Sequence, residues 1–196
     1  MARPTIVNKE KILENALNLF WKKGINNVSI YEIAKYSSVS RAAIYREFLN
    51  VDNLHYECIK AYDKLVTLPM RNAFLNCENA PKLVSEIMYD QIHNKKDKLY
   101  PYCLFYTSVI SQASLNKKTQ TLIKKIYNKL IKSIETAVNV SKNKGFIPST
   151  SNTTKVAEYI NNQFLVIIAL DRAKQPKKVL CNVAETMDKT LKNISL

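Results

Sequence analysis

Glycine is nearly missing from this chain. Its 196 residues hold two, Gly24 and Gly145. Tight hairpins and phosphate-cradling loops rely on glycine for positive φ, so a sheet-rich fold, a dinucleotide-binding loop or a P-loop is not expected. An all-α chain needs few glycines, mainly just past helix ends. The four cysteines (Cys58, Cys77, Cys103, Cys181) are widely spaced with no CxxC pair, and the two histidines, His55 and His93, stand far apart. Buried free thiols are therefore expected, with no metal site and no disulfide framework. The longest apolar run, Phe164 to Leu170, falls well short of the roughly 20 residues that span a bilayer. The N-terminus has no continuous apolar core ahead of a cleavage site, so no signal peptide and a cytoplasmic location are expected. With no Ser/His/Asp set, no recognisable carboxylate pair and no glycine loop, neither enzymatic activity nor a cofactor is expected.

Negative charge is also scarce. Thirty Lys+Arg stand against 16 Asp+Glu, a net charge of +14. Residues 101–150 carry eight lysines and one acid, Glu135. Such an excess favours polyanions, nucleic acid among them. Only five of the basic residues are arginine, and three of these, Arg3, Arg41 and Arg46, lie in the first quarter of the chain. The hydrophobic share of 46% is ordinary for a folded globular protein.

The apolar spacing is helical throughout. Residues 9–23 place Ile12, Leu13, Ala16, Leu17, Leu19 and Phe20 on one face, with Asn8 as cap and Gly24 as stop. Ser29 caps a short helix with Ile30, Ile33 and Ala34 inward and Glu32 placed for a capping box. Residues 37–39 break, and Ser40 caps a third helix bearing Ala43, Ile44 and Phe48. A fourth runs from about Asn50 through Leu54, Ile59, Tyr62 and Val66 to about Pro69. Longer helices are expected at about 81–94, after Pro101, at 117–143 up to Gly145, and at 152–172 and 176–194. The expectation is an all-α fold of about nine helices.

Residues 29–48, SIYEIAKYSSVSRAAIYREF, carry the functional signal. Two short helices joined by a tight turn and braced by a preceding helix make a helix-turn-helix. The second helix offers Ser40, Arg41, Ala42, Tyr45 and Arg46 on one side, and Ser29 and Lys35 flank it. Arginine can reach guanine or phosphate, tyrosine can donate to phosphate, and small Ala42 and Ala43 would let the backbone approach. An ordinary helical hairpin with a solvated arginine has the same spacing.

Residues 11–54 resemble the DNA-binding domain of the tetracycline-repressor (TetR/AcrR) family of bacterial regulators. The matching positions are Ile12-Leu13, Ala16, Leu19-Phe20, Gly24, Val28-Ser29-Ile30, Ile33-Ala34, Val39-Ser40, Ile44-Tyr45, Phe48, Asn50 and Leu54. Cys103-Leu104 resembles a Gly-Cys-Leu segment found in many members, and Gly145-Phe146-Ile147-Pro148 resembles the usual break before the family's final helix pair. Three positions depart from the pattern. Ser38 stands where the turn usually has glycine, Val51 where lysine often meets phosphate, and Tyr102 where glycine precedes the cysteine. The resemblance implies a DNA-binding domain at 6–66 and a ligand-binding and dimerisation domain at 67–196. It implies a homodimer on a palindromic operator in double-stranded DNA, with a small-molecule effector that releases it, and so a repressor. A ligand-independent architectural or partner-binding protein on the same fold is the alternative.

The resemblance also places a dimer interface on the last two helices, at Tyr159, Ile160, Phe164, Ile167, Val179, Val183, Met187 and Leu191. The same stripe could instead pack on its own core. Candidate ligand contacts on the middle helices are Tyr62, Met88, Gln91, Tyr106, Thr107, Ile110, Ile123, Tyr127, Gln163 and Phe164, an aromatic wall with a few polar groups. Lys117, Lys118, Lys124, Lys125, Lys129 and Lys132 fall within about 140° of one helix face. They read as a solvated basic face, or as a second contact for a polyanion.

Overall fold

The structure is a computed structural model and describes residues 8–93 and 103–193. The expected helix ends at Asn94 and residue 194 and the positions of Arg3 and Tyr102 lie outside the described residues. Ten α-helices and no strand occur among the described residues. They are α1 (Lys9–Lys23), α2 (Ile30–Ser37), α3 (Arg41–Phe48), α4 (Val51–Tyr62), α5 (Leu68–Asn76), α6 (Ala80–His93), α7 (Leu104–Ile110), α8 (Lys117–Asn143), α9 (Thr153–Arg172) and α10 (Lys177–Asn193).

Local chemistry explains most of the boundaries. Asn8, Ser29, Ser40, Asn50, Asn116 and Asn152 each accept a backbone N–H of the first helical turn through the side chain. Such caps are worth about 1 kcal/mol each. Both glycines sit just past helix ends at positive φ, Gly24 at 90° and Gly145 at 79°. The Gly24 N–H closes α1 by donating to the Phe20 carbonyl at 2.7 Å. Gly145 and Phe146 close α8 by donating to Lys142 and Ser141.

Two expectations need correcting. The helix expected to end near Pro69 continues. A π turn at Asp63–Thr67 joins α4 to α5, so the two form one interrupted rod. Pro69 directly follows the π turn, at the second residue of α5, and the rod continues through it. Arg71 stabilises the turn. It is buried, and its Nη1 donates to Asp63 Oδ1 at 2.6 Å. Thr67 Oγ1 donates to the same carboxylate and to the Asp63 carbonyl. Burial alone would push the Asp63 carboxyl up, but these two donors hold it below its usual range. The capping box of α2 is half-formed. Ser29 Oγ accepts from the Glu32 N–H at 3.2 Å, while the Glu32 carboxylate pairs with Lys23 of α1.

Buried side chains from every helix form one cluster. The long α8 is the spine and packs against α4, α5, α6, α7 and α9; α10 packs between α6 and α9. The first four helices form a head at one end. The head docks through α4 on α7 and α8, and through the 3-10 turn Ile25–Asn27 on α7. Arg172, at the end of α9, adds a clasp, its Nη2 donating to the Lys23 carbonyl at 3.1 Å. No described helix is long and apolar enough to cross a membrane.

Candidate nucleic-acid interface

The head holds α2 and α3 rigidly. Ile12, Ala16 and Phe20 of α1, Ile33 of α2, Ile44 and Phe48 of α3 and Leu54 of α4 are all buried in the shared core. Asn15 of α1 donates to Ser37 Oγ of α2 at 3.2 Å. The turn between α2 and α3 is Ser38-Val39-Ser40. Ser38 is left-handed, at φ 55° and ψ 40°. Its N–H donates to the Lys35 carbonyl, and the Val39 N–H to that of Ala34. The expectation of a glycine-type turn at Ser38 is thereby met with a serine.

This frame turns one side of α3 outward. Arg41, Ala42, Tyr45 and Arg46 are exposed, with Tyr45 44% accessible. Lys35, Ser29 and Ser40 are exposed as well. The hydroxyls of Ser29 and Ser40 are already engaged as helix caps. Ala43 is buried against the other helices rather than at the outer face, so only Ala42 provides a close approach. Arg46 Nε lies 3.3 Å from Glu47 Oε1 at the surface, where the pair is screened and worth little. The guanidinium is therefore available to a stronger anion.

The outer face also holds residues that the motif did not single out. Tyr31 and Tyr36 of α2 are 65% and 51% accessible. Their outward direction follows from the inward phase of Ile30, Ile33 and Ala34, so the signal was present in the spacing. Leu49 is exposed and positive in φ. Nothing in its residue type announces either property.

The expected ligand contacts separate into three groups. Tyr62, Met88, Tyr106, Thr107, Ile123 and Phe164 are buried. Burial pushes the hydroxyls of Tyr62 and Tyr106 well above their usual pKa, so both stay protonated and donate. Tyr62 donates to Cys103 Sγ at 3.3 Å and Tyr106 to Asn161 Oδ1 at 2.8 Å. Asn161 Nδ2 in turn donates to the Tyr127 hydroxyl at 2.9 Å. Tyr127 and Ile123 line a cleft of about 790 Å³ between α7, α8 and α9. Gln91 and Gln163 are half-buried, and Ile110 faces solvent with 56% of its surface accessible. Ile110 is therefore not part of an interior wall.

The expected dimer face also divides. Ile160, Phe164, Ile167, Met187 and Leu191 are buried within the single chain, where they pack on its own core. A facing surface cannot use them. Tyr159, Val179 and Val183 remain half-buried at the outside, and Val166 is exposed. The helical period separates the inward from the outward stripe by only one or two positions, and the apolar pattern covers both.

Comparison with known proteins follows the same lines. Residues 12–54 match the family model described as bacterial regulatory proteins, tetR family. An uncharacterised HTH-type transcriptional regulator of Bacillus subtilis, YuxN, is 29% identical over 124 residues, covering 58% of this chain and 42% of that protein. The match thus spans less than half of the relative's length. A TetR-family transcriptional regulator from Agrobacterium tumefaciens superposes with a TM-score of 0.82 at 14% identity, covering 93% of this chain and 96% of that one. CifR, a TetR-family transcriptional regulator solved as a cysteine variant on 26-base-pair operator DNA, superposes with a TM-score of 0.77 at 13% identity, covering 97% and 100%.

Proposed function

We propose that the chain, whose residues 12–54 match the tetR-family model and whose fold superposes on tetR-family regulators, is such a regulator and represses transcription as an effector-released homodimer. The observation that carries the reading is the outward face of α3, with Arg41, Ala42, Tyr45 and Arg46 on a frame of buried contacts. A helix of this size fits the major groove, where arginine reads guanine bidentately. Residues 6–66 serve as the DNA-binding domain and residues 67–196 as the effector and dimerisation domain. Two copies present two α3 helices to successive half-sites, about one duplex turn or a multiple apart. An effector that favours a different separation of the heads weakens DNA binding, and DNA weakens effector binding by the same factor.

The test is binding to the DNA flanking the protein's own gene, against scrambled DNA, at about 0.15 M salt, where the Debye length is roughly 8 Å. Should the flanking DNA hold no site, selection from random DNA supplies one. The expected preference is about 10³-fold or more. Arg46→Ala should flatten that preference, whereas loss of a contact to phosphate alone would weaken all DNA alike. Equal affinity for every sequence, in wild type and variant, would overturn the reading.

A further inference from the structure

We infer that the cleft between α7, α8 and α9 is the effector site and that its ligand is an organic anion with an apolar body. This inference rests on the effector-responsive reading above. The cleft encloses about 790 Å³, within the range of roughly 300–1,000 Å³ that holds small ligands. Val109, Ile123 and Leu165 supply an apolar floor, and Tyr127 an aromatic wall with a hydroxyl. Lys117 and Lys124 stand at the rim, both exposed. Among the described residues, no carboxylate lines the cleft. Glu135 and Glu158 lie beyond Tyr127, in the adjoining groove with Lys132.

Charge decides the ligand's sign. None of the ion pairs among the described residues involves Lys117 or Lys124. Among the described residues, a cation entering here would meet two like charges and no counter-ion, while an anion meets two ammonium groups that no described carboxylate pairs. The apolar floor disfavours a small inorganic anion, which would have to give up water without a hydrogen-bonding partner there. An amphipathic anion satisfies both ends. The position also suits control of the head. Lys118, next to Lys117, places its Nζ 4.1 Å from the Tyr56 ring centroid and 3.4 Å from Asn53 Oδ1, both on α4.

Two dyes that share one ring system test the inference. Anilinonaphthalene sulfonate is an apolar organic anion, and phenylnaphthylamine is the same body without the sulfonate. Fluorescence titration should show one sulfonate site per chain, bound about tenfold more tightly than the neutral dye, as two partly exposed ion pairs supply. The double variant Lys117→Gln/Lys124→Gln should bring the sulfonate to the affinity of the neutral dye and leave the latter unchanged. Thr121→Trp, on the exposed side of α8 at the cleft mouth, should remove both. Equal affinity of the two dyes for wild type, an unchanged sulfonate affinity in the lysine variant, or binding that survives Thr121→Trp would each overturn the inference. The DNA measurement runs on the same samples. A chain that discriminates DNA but fails the dye test loses only this ligand class, and one that passes the dye test but treats all DNA alike loses the regulator reading.

Discussion

Ser38 shows how much one backbone angle costs. A left-handed conformation disfavours any residue with a Cβ by roughly 1–2 kcal/mol, and glycine escapes that cost. Ser38 is left-handed and exposed, and no side-chain hydrogen bond compensates it. Ser38→Gly should therefore stabilise the protein by about 1 kcal/mol, which raises the Tm by about 2–4 °C at this chain length. An unchanged or lower Tm in a thermal melt would contradict this. His55 carries the opposite kind of stress. It is buried in α4 against the Phe20 ring, and its Nε2 has no hydrogen-bond partner. Burial lowers its pKa below the ordinary 6.5, against a smaller upward pull from Asp52. The unfolded chain therefore takes up this proton first as pH falls, so stability drops below about pH 6.5. Melts between pH 7.5 and 5.5 should show wild type losing more stability than His55→Gln. Parallel curves would exclude His55 as the cause. The α3 residues were legible in the sequence because capping and apolar phase leave few choices for which side chains face out. Ser29 and Ser40 read both as caps and as DNA contacts, and the two roles are compatible, because an Oγ that accepts a backbone N–H keeps its own hydrogen to donate to a phosphate.

At the scale of elements, chain ends and caps were readable and interruptions were not. Asparagine or serine before an apolar period marked α1, α2 and α3, and the apolar period itself placed α8 and α9, within a residue or so. Pro69 reads as a stop, yet α5 continues through it, directly after the π turn. That turn is held by Arg71, whose partner Asp63 lies eight positions earlier, beyond the three- and four-residue spacings at which helical side chains ordinarily pair. The 3-10 turn Gln112–Ser114 between α7 and α8 was missed for a simpler reason. Three residues are too few to show a period.

The whole molecule was legible as a class and not as a set of surfaces. An all-α chain with a helix-turn-helix head follows from composition and spacing. Which side of α9 and α10 faces out depends on where α6 and α8 lie, and that is settled by contacts distant in sequence. In the proposed homodimer, the outward stripe of Tyr159 and Val166 on α9 with Val179 and Val183 on α10 is the apolar surface left for a second copy. Val166→Asp/Val183→Asp should convert a dimer into a monomer in light scattering and weaken operator binding, with the helical circular dichroism signal kept. A double variant that remains dimeric would move the interface elsewhere. The widened turn at Asp63–Thr67 has a consequence for angular register. Buried positions on the rod run Leu54, Cys58 and Tyr62, then step five places to Thr67 before Arg71 and Phe74. A π turn, bonded i to i+5, absorbs the surplus residue. Each residue of α-helix turns the chain by about 100°, so the same sequence wound without interruption would swing Phe74 away from the interior. The rod that leaves the head is thus geared, and its two halves face one core because of a single slipped tooth.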